Sequence, residues 1–255
     1  MIISKTPYRI SFFGGGSDYP IWYQKFGGQV LSTTIDKYLY ISCRELPKFF
    51  NHKYRIVWSK IENVKNVNQI THKVVKEILI HNKINKGLEI HYDGDLPSKS
   101  GMGSSSCFTT GLMNALNTYK VKKITKMELA RKTIFFEQKV LNEIVGSQDQ
   151  VAAAFGGFNK ITFSRKNQIN VKKIKSNYLE TLNSNLLLIY TGIQRNAEKV
   201  AKKYVNKITN EKKENIKKIK EYVDEGEKLI MKGDLKNFGV LLHEAWLQKK
   251  DLSND

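Results

Sequence analysis

The segment Gly101-Met102-Gly103-Ser104-Ser105-Ser106 constrains the fold of this chain more than any other stretch. It follows an extended run, Gly87-Leu88-Glu89-Ile90-His91-Tyr92, and leads into apolar spacing that predicts a helix over 104–118. Glycines let a backbone turn sharply and approach a ligand closely. The free amides of the first helical turn, at the positive end of the dipole, attract an anion. Serine hydroxyls add hydrogen bonds to phosphate or an oxygen for magnesium. The pattern is not a Walker loop, because no Gly-Lys-Ser/Thr follows, and a dinucleotide fingerprint needs a further glycine three residues on. Taken alone, the segment fits a phosphate cradle and an ordinary capped turn equally well.

The chain around it alternates strands and helices. Residues 2–13 read as extended and run into Gly14-Gly15-Gly16, with Ser17-Asp18 as a helix-cap signal. Strands are expected around Val30–Cys43 and Tyr54–Trp58, and apolar positions at 70, 74, 75, 78 and 79 predict a helix over 69–82. Further helices are expected over 125–145 and 148–155, short strands near 158–163 and 186–191, and helix from 195 onward. A composition shift near 165–185 is the one domain boundary the sequence suggests, giving units over 1–165 and 180–255.

Composition narrows the function classes. With 255 residues and 40% hydrophobic content the chain can bury a substantial core. Cys43 and Cys107 are its two cysteines, too far apart for a disulfide scaffold or zinc module. Cys107, just inside the helix that follows the glycine loop, reads as a buried small side chain. The five histidines at 52, 72, 81, 91 and 243 match no metal or triad spacing. The formal charge of +19 comes from 37 lysines and only 6 arginines, spread along the whole chain. Nucleic-acid readers favour arginine forks with clustered aromatics, so a lysine-rich solvated surface is the better reading, and one suited to an anionic substrate. Met1-Ile2-Ile3-Ser4-Lys5 carries no signal-peptide pattern, and no apolar run is long enough for a bilayer. A cytoplasmic protein without a membrane partner is expected.

Three segments in order resemble the GHMP kinases, the galactokinase, homoserine, mevalonate and phosphomevalonate kinase superfamily. Thr6 through Tyr19, containing Arg9 and Gly14-Gly15-Gly16-Ser17-Asp18, resembles its first motif. Pro97 through Ser106 resembles the second, Pro-x-x-x-Gly-Leu-Gly-Ser-Ser, with Met102 at the leucine. Gly146-Ser147-Gln148-Asp149-Gln150, followed by Gly156-Gly157, resembles the segment carrying the catalytic aspartate. The resemblance implies an α+β two-domain fold, with a mixed N-terminal nucleotide-binding domain and a ferredoxin-like C-terminal domain. It also implies ATP and Mg2+ as cofactors. Galactokinases usually have Gly-Glu-His-Thr-Asp where this chain has glycines at 15 and 16. The glycine-rich form, with Thr191-Gly192-Ile193-Gln194-Arg195 later, is similar to bacterial D-glycero-D-manno-heptose 7-phosphate kinases, which phosphorylate the anomeric oxygen.

By that resemblance, Pro97, Ser100, Gly101, Met102, Gly103, Ser104, Ser105 and Ser106 form the ATP site. Ser105 and Glu137 become magnesium ligands, although a solvated surface position suits Glu137 as well. Asp149 would take or orient the proton of the attacking hydroxyl, with Arg9 beside it; as a bare sequence feature Asp149 is also a helix-terminal acid. Gly15, Gly16, Ser17 and Asp18 become sugar-binding residues, Asp18 doubling as a cap of the following helix. Arg195 is a candidate for the distal phosphate of a sugar phosphate, or a solvent-facing residue.

The glycine-rich third motif usual near the C-terminus of the superfamily is not found before Asp255. A shortened form is therefore expected, with an apolar helix face, Leu241, Leu242, Ala245 and Trp246, lacking a packing partner. Other readings remain: a fucokinase-like sugar-1-kinase, a catalytically silent paralogue, or a basic RNA-associated module. The RNA reading gives no reason for Asp149 or Ser105.

Overall fold

A computed structural model describes residues 1–194 and 197–253. Its centre is a seven-stranded sheet built on one long strand, β2 (Gly28–Glu45). One edge of β2 pairs antiparallel with β1 (Ile2–Phe13) along most of its length. The other edge is divided: Gly28–Thr33 pair with β6 (Phe158–Phe163), and Leu39–Glu45 with β5 (Leu88–Gly94). β3 (Tyr54–Val57) joins β5 in parallel, β4 (Ile61–Val64) closes that side, and β7 (Ile169–Lys173) closes the other beyond β6. β1 has β2 as its single ladder neighbour, and that is why Pro7 is tolerated there. The register slips between Pro7 and Arg9, and the amide of Arg9 donates instead to the Met102 carbonyl. The glycine loop is thereby tied to the free edge of β1.

Nine helices occur among the described residues: α1 (Pro20–Phe26), α2 (Lys73–His81), α3 (Ser104–Tyr119), α4 (Lys126–Phe135), α5 (Gln148–Phe155), α6 (Leu179–Ser184), α7 (Ala197–Tyr204), α8 (Lys213–Lys232) and α9 (Leu235–Ser253). One core lies between α2, α3 and the β2–β3–β5 face, with Leu39, Ile41, Ile78, Leu79, Leu112 and Leu116 fully buried. A second joins Phe12, Phe13 and Leu31 of the strands to Val223, Ile230, Phe238, Leu241 and Ala245 of α8 and α9. A third runs from Trp22 and Val30 through Val151 to Ile216 and Ile219. Each fully buried side chain of this size contributes about 1.5–3 kcal/mol.

This packing corrects two expectations. The inward stripe of α9 has a partner, because Phe12 and Phe13 stack edge-on against Phe238 while Leu241 and Ala245 are buried beside them. Trp246, at 53% exposure, is turned out of that stripe and was wrongly grouped with it. The strand expected near 186–191 does not form. Leu187, Leu188, Ile189 and Tyr190 are strongly strand-prone, but no described strand offers them a ladder, and all four are exposed. A strand is stable only with a neighbour to complete its hydrogen bonds. Among the described residues no strand follows Lys173, and no helix is long and apolar enough to cross a membrane.

Candidate active site

The glycine loop is built from alternating left-handed residues: Lys99, Gly101 and Gly103 have φ of 62°, 80° and 76°. Gly103 then caps α3, whose first intrahelical bond comes from the Cys107 amide. The preceding amides of Ser104, Ser105 and Ser106 thus belong to the unpaired first turn, and Ser100 Oγ is buried with no described partner. A Cβ on Gly103 would sit 3.3 Å from Arg9 Cγ and 3.4 Å from Asp149 Oδ2, so the loop lies directly on those two side chains.

Arg9 and Asp149 form a two-point ion pair: Nε donates to Oδ1 at 2.8 Å and Nη2 to Oδ2 at 2.7 Å. Arg9 Nη1 also donates to the Gly101 carbonyl at 2.7 Å. Burial opposes the charge on Arg9, but the adjacent Asp149 carboxylate outweighs it and makes the guanidinium more basic. A carboxylate paired in this way still has outward lone pairs that can accept a proton from, or orient, a hydroxyl.

Glu137 is where local structure departs most from expectation. The continuous helix expected over 125–145 instead widens into a π-turn at Phe136–Val140. Such one-residue bulges recur at functional sites. The turn swings Glu137 inward to 0% exposure, which excludes the solvated position. Ser106 Oγ donates to its Oε2 at 2.9 Å, and Gln150 Nε2 donates to the same oxygen. Burial pushes the carboxyl up to about 7 against those hydrogen bonds. Its other oxygen, Oε1, is buried and has no described partner. The hydroxyl on Glu137 is therefore that of Ser106; Ser105 is exposed on the same turn and lines the cleft.

Asp18 is 1% exposed, and burial followed by the nearby Asp149 charge raises its pKa. It accepts from the Gly16 amide at 3.0 Å and from the Gln148 amide at 3.1 Å. The helix it caps is α5, not the α1 that follows it in sequence. Gly146 must be glycine here, since a Cβ would lie 1.9 Å from Asp18 Oδ2. Ser17 is corrected: it is fully buried and turned away from the cleft, its hydroxyl bonded to backbone atoms of Gly14 and Gln29. That hydroxyl fastens the loop to β2 and does not meet a ligand. Gly15 and Gly16 line the cleft, Pro97 is exposed outside it, and Arg195 lies outside the described residues. Burial pushes the Cys107 thiol up to about 12, in keeping with a packing role.

These groups share one open cleft of about 1860 Å3. Two of its features escaped the sequence. Beside the first turn of α3, Trp58, His72 and Phe108 form an aromatic wall, His72 lying 4.9 Å from each of the other two rings. His72 was read as a surface or core residue; its Nδ1 caps α2 while its ring faces the cleft. At the other end Lys249 of α9 reaches in beside Gly15. Nothing in the local sequence marks either, because both depend on elements distant in the chain.

The cleft thus joins a helix start with unpaired amides to a paired Asp–Arg, and the Glu137 carboxylate is buried behind Ser106 and Gln150 of its lining. Residues 67–157 match the family of GHMP kinases N terminal domains. The chain is 28% identical to D-glycero-alpha-D-manno-heptose 7-phosphate kinase of Campylobacter jejuni, over 99% of its own length and 78% of the relative's. It is 26% identical to galactokinase of Pyrococcus furiosus, over 76% of this chain and 54% of that one. Among solved structures, a D-glycero-D-manno-heptose 1-phosphate kinase from Bacteroides thetaiotaomicron superposes with a TM-score of 0.76 at 24% identity, covering 98% of this chain and 79% of that one. Streptococcus pneumoniae phosphomevalonate kinase, in complex with phosphomevalonate and AMPPNP, gives 0.72 at 15% identity, covering 100% and 82%. Residues 67–157 thus match a GHMP kinase N-terminal domain, and the α+β fold that the motifs implied is shared with the solved kinases.

Proposed function

We propose that the protein transfers the γ-phosphoryl group of ATP to the anomeric hydroxyl of a sugar phosphate, with D-glycero-D-manno-heptose 7-phosphate as substrate and the 1,7-bisphosphate as product. The observation that carries this reading is the Arg9–Asp149 pair lying against Gly103 of the phosphate loop. It sets a proton acceptor beside the place where phosphate would rest. The similarity to the Campylobacter jejuni kinase supports the choice of sugar.

In this reading the amides of the first turn of α3 hold the ATP phosphates, and the Trp58–His72–Phe108 wall takes the base by stacking. Asp149 receives or orients the acceptor proton, and Arg9 holds the Asp149 carboxylate in place through its two-point pair and offsets charge in transfer. Gly15, Gly16 and Asp18 border the sugar. The buried Oε1 of Glu137, which has no described hydrogen-bond partner, and the Ser105 hydroxyl that lines the cleft are the two oxygens this reading offers to magnesium. One or two protein oxygens are the usual share when phosphates supply the rest. Bound magnesium would neutralise phosphate charge.

A panel of sugar phosphates and neutral sugars assayed for ADP release tests the proposal. Turnover should be greatest with the heptose 7-phosphate; equal turnover of fucose or galactose would overturn the sugar assignment. The raised pKa of Glu137 adds a second expectation. A carboxyl that ionises near pH 7 binds a cation only after losing its proton. Magnesium-dependent nucleotide affinity should therefore rise up to about tenfold per pH unit below 7 and level off above it. Calorimetry in buffers of different ionisation enthalpy should detect the released proton, and Glu137→Gln should remove both effects.

A further inference from the structure

Lys249 occupies an unusual position for a lysine. On α9 it continues the inward stripe that begins with Phe238 and runs through Leu241 and Ala245, at the spacing that keeps residues on one helix face. Its head emerges in the cleft, as long basic side chains do at the edge of an apolar surface. Among the described residues no hydrogen bond or ion pair engages the ammonium. Burial and the neighbouring Arg9 charge both lower its pKa, with Asp18 opposing them. A counter-ion role for Asp18 explains little, since each Asp18 oxygen already receives a backbone amide.

The geometry over Gly15 is more specific. The point where a Cβ would stand on Gly15 is 3.4 Å from Lys249 Nζ and 3.5 Å from Gln148 Nε2. Two donors, one of them cationic, converge on a space that this glycine leaves open. Gln148 Oε1 is buried there without a described partner, ready to accept from a hydroxyl. Under the proposed function Gly15 and Asp18 border the acceptor, so the space over Gly15, with Lys249 and Gln148 at its margin and the Arg9 charge nearby, belongs to the acceptor side. An anionic oxygen satisfies both donors, whereas a neutral group would leave a poorly solvated ammonium unpaired.

We propose that Lys249, together with the Gln148 amide, forms the subsite for the anionic group of the acceptor and so makes the enzyme prefer a phosphorylated sugar to its neutral counterpart. The inference rests on the sugar-kinase reading above and deepens it by naming the residue that selects the substrate. The charge belongs to α9, far from every motif of the N-terminal domain.

The test is calorimetric binding of D-glycero-D-manno-heptose 7-phosphate and of the unphosphorylated heptose to the full chain, for wild type, Lys249→Met and Lys249→Arg. Lys249→Met keeps the length and apolar stem, and thermal unfolding verifies that each variant folds. Wild type should bind the phosphate more tightly by roughly 10- to 100-fold, the worth of a hydrogen bond to a charged group. Lys249→Met should reduce that preference to about twofold or less with neutral-sugar affinity unchanged, and Lys249→Arg should restore part of it. A Lys249→Met protein that keeps the full preference would overturn the assignment while leaving the sugar-phosphate reading intact. A wild type that binds both sugars equally would overturn both. Binding with the expected preference but no ADP formed in the presence of MgATP would reject the kinase reading and leave the subsite standing.

Discussion

Replacing Asp149 with asparagine should lower kcat by about two to four orders of magnitude, the usual cost of losing a positioned general base. The substitution keeps the size of the side chain and one oxygen for Arg9, so the loop contact with Gly103 should persist. ATP affinity should change little, and unfolding should remain cooperative. Steady-state ADP release with parallel nucleotide titration separates the two effects. A fall in turnover matched by an equal fall in ATP affinity would indicate that the pair is a structural brace. Wild-type turnover would remove Asp149 from the chemistry altogether.

The second large effect is expected from Gly103→Val. The left-handed backbone at this position costs a β-branched residue about 1–2 kcal/mol before any contact is counted. The new side chain would also press on Arg9 and Asp149, which lie 3.3 and 3.4 Å from the Cβ position. Both penalties fall on the loop that would hold phosphate. Each 1.4 kcal/mol is a factor of ten in affinity, so nucleotide binding should weaken by roughly tenfold or more. Circular dichroism should show the helices retained, because α3 continues for 16 residues beyond the cap. An unchanged ATP isotherm would place the nucleotide elsewhere.

What the sequence disclosed and what it concealed follow physical lines. α3 and α5 were legible because glycine and serine mark their starts, and β1, β2, β5 and β6 because β-branched and aromatic residues concentrate there. β4 (Ile61–Val64) and β7 (Ile169–Lys173) were not read as strands, being short and polar sheet margins whose ladders come from neighbours. The π-turn at Glu137 has no local signal, since the residues of 136–140 are compatible with plain helix. Leu187–Tyr190 failed in the opposite sense: high strand propensity was present and the partner was not. The motif residues Arg9, Asp18 and Asp149 line one cleft. Ser17 does not, because at that position the hydroxyl is worth more to two buried backbone groups than to a ligand. Lys249 was invisible for a related reason: its helix reads as core, and only the tertiary fold shows where its head arrives.

The Arg9–Asp149 pair has a consequence for how the protein comes into being. Its members are 140 positions apart, and Lys249 lies a further hundred along the chain. Ribosomes add about 5–20 residues per second and N-terminal regions tend to fold first. The segment that forms the glycine loop is therefore synthesised several seconds before the helix that carries Lys249. A nascent chain of that kind lacks the packing that α8 and α9 give to β1 and β2, and with it the proposed acceptor subsite. Ligands that require both ends of the cleft can stabilise only the finished chain, by mass action on the native state alone. Under the proposed assignment the acceptor would be a late-acting folding ligand, felt after α9 has been made and absent before it.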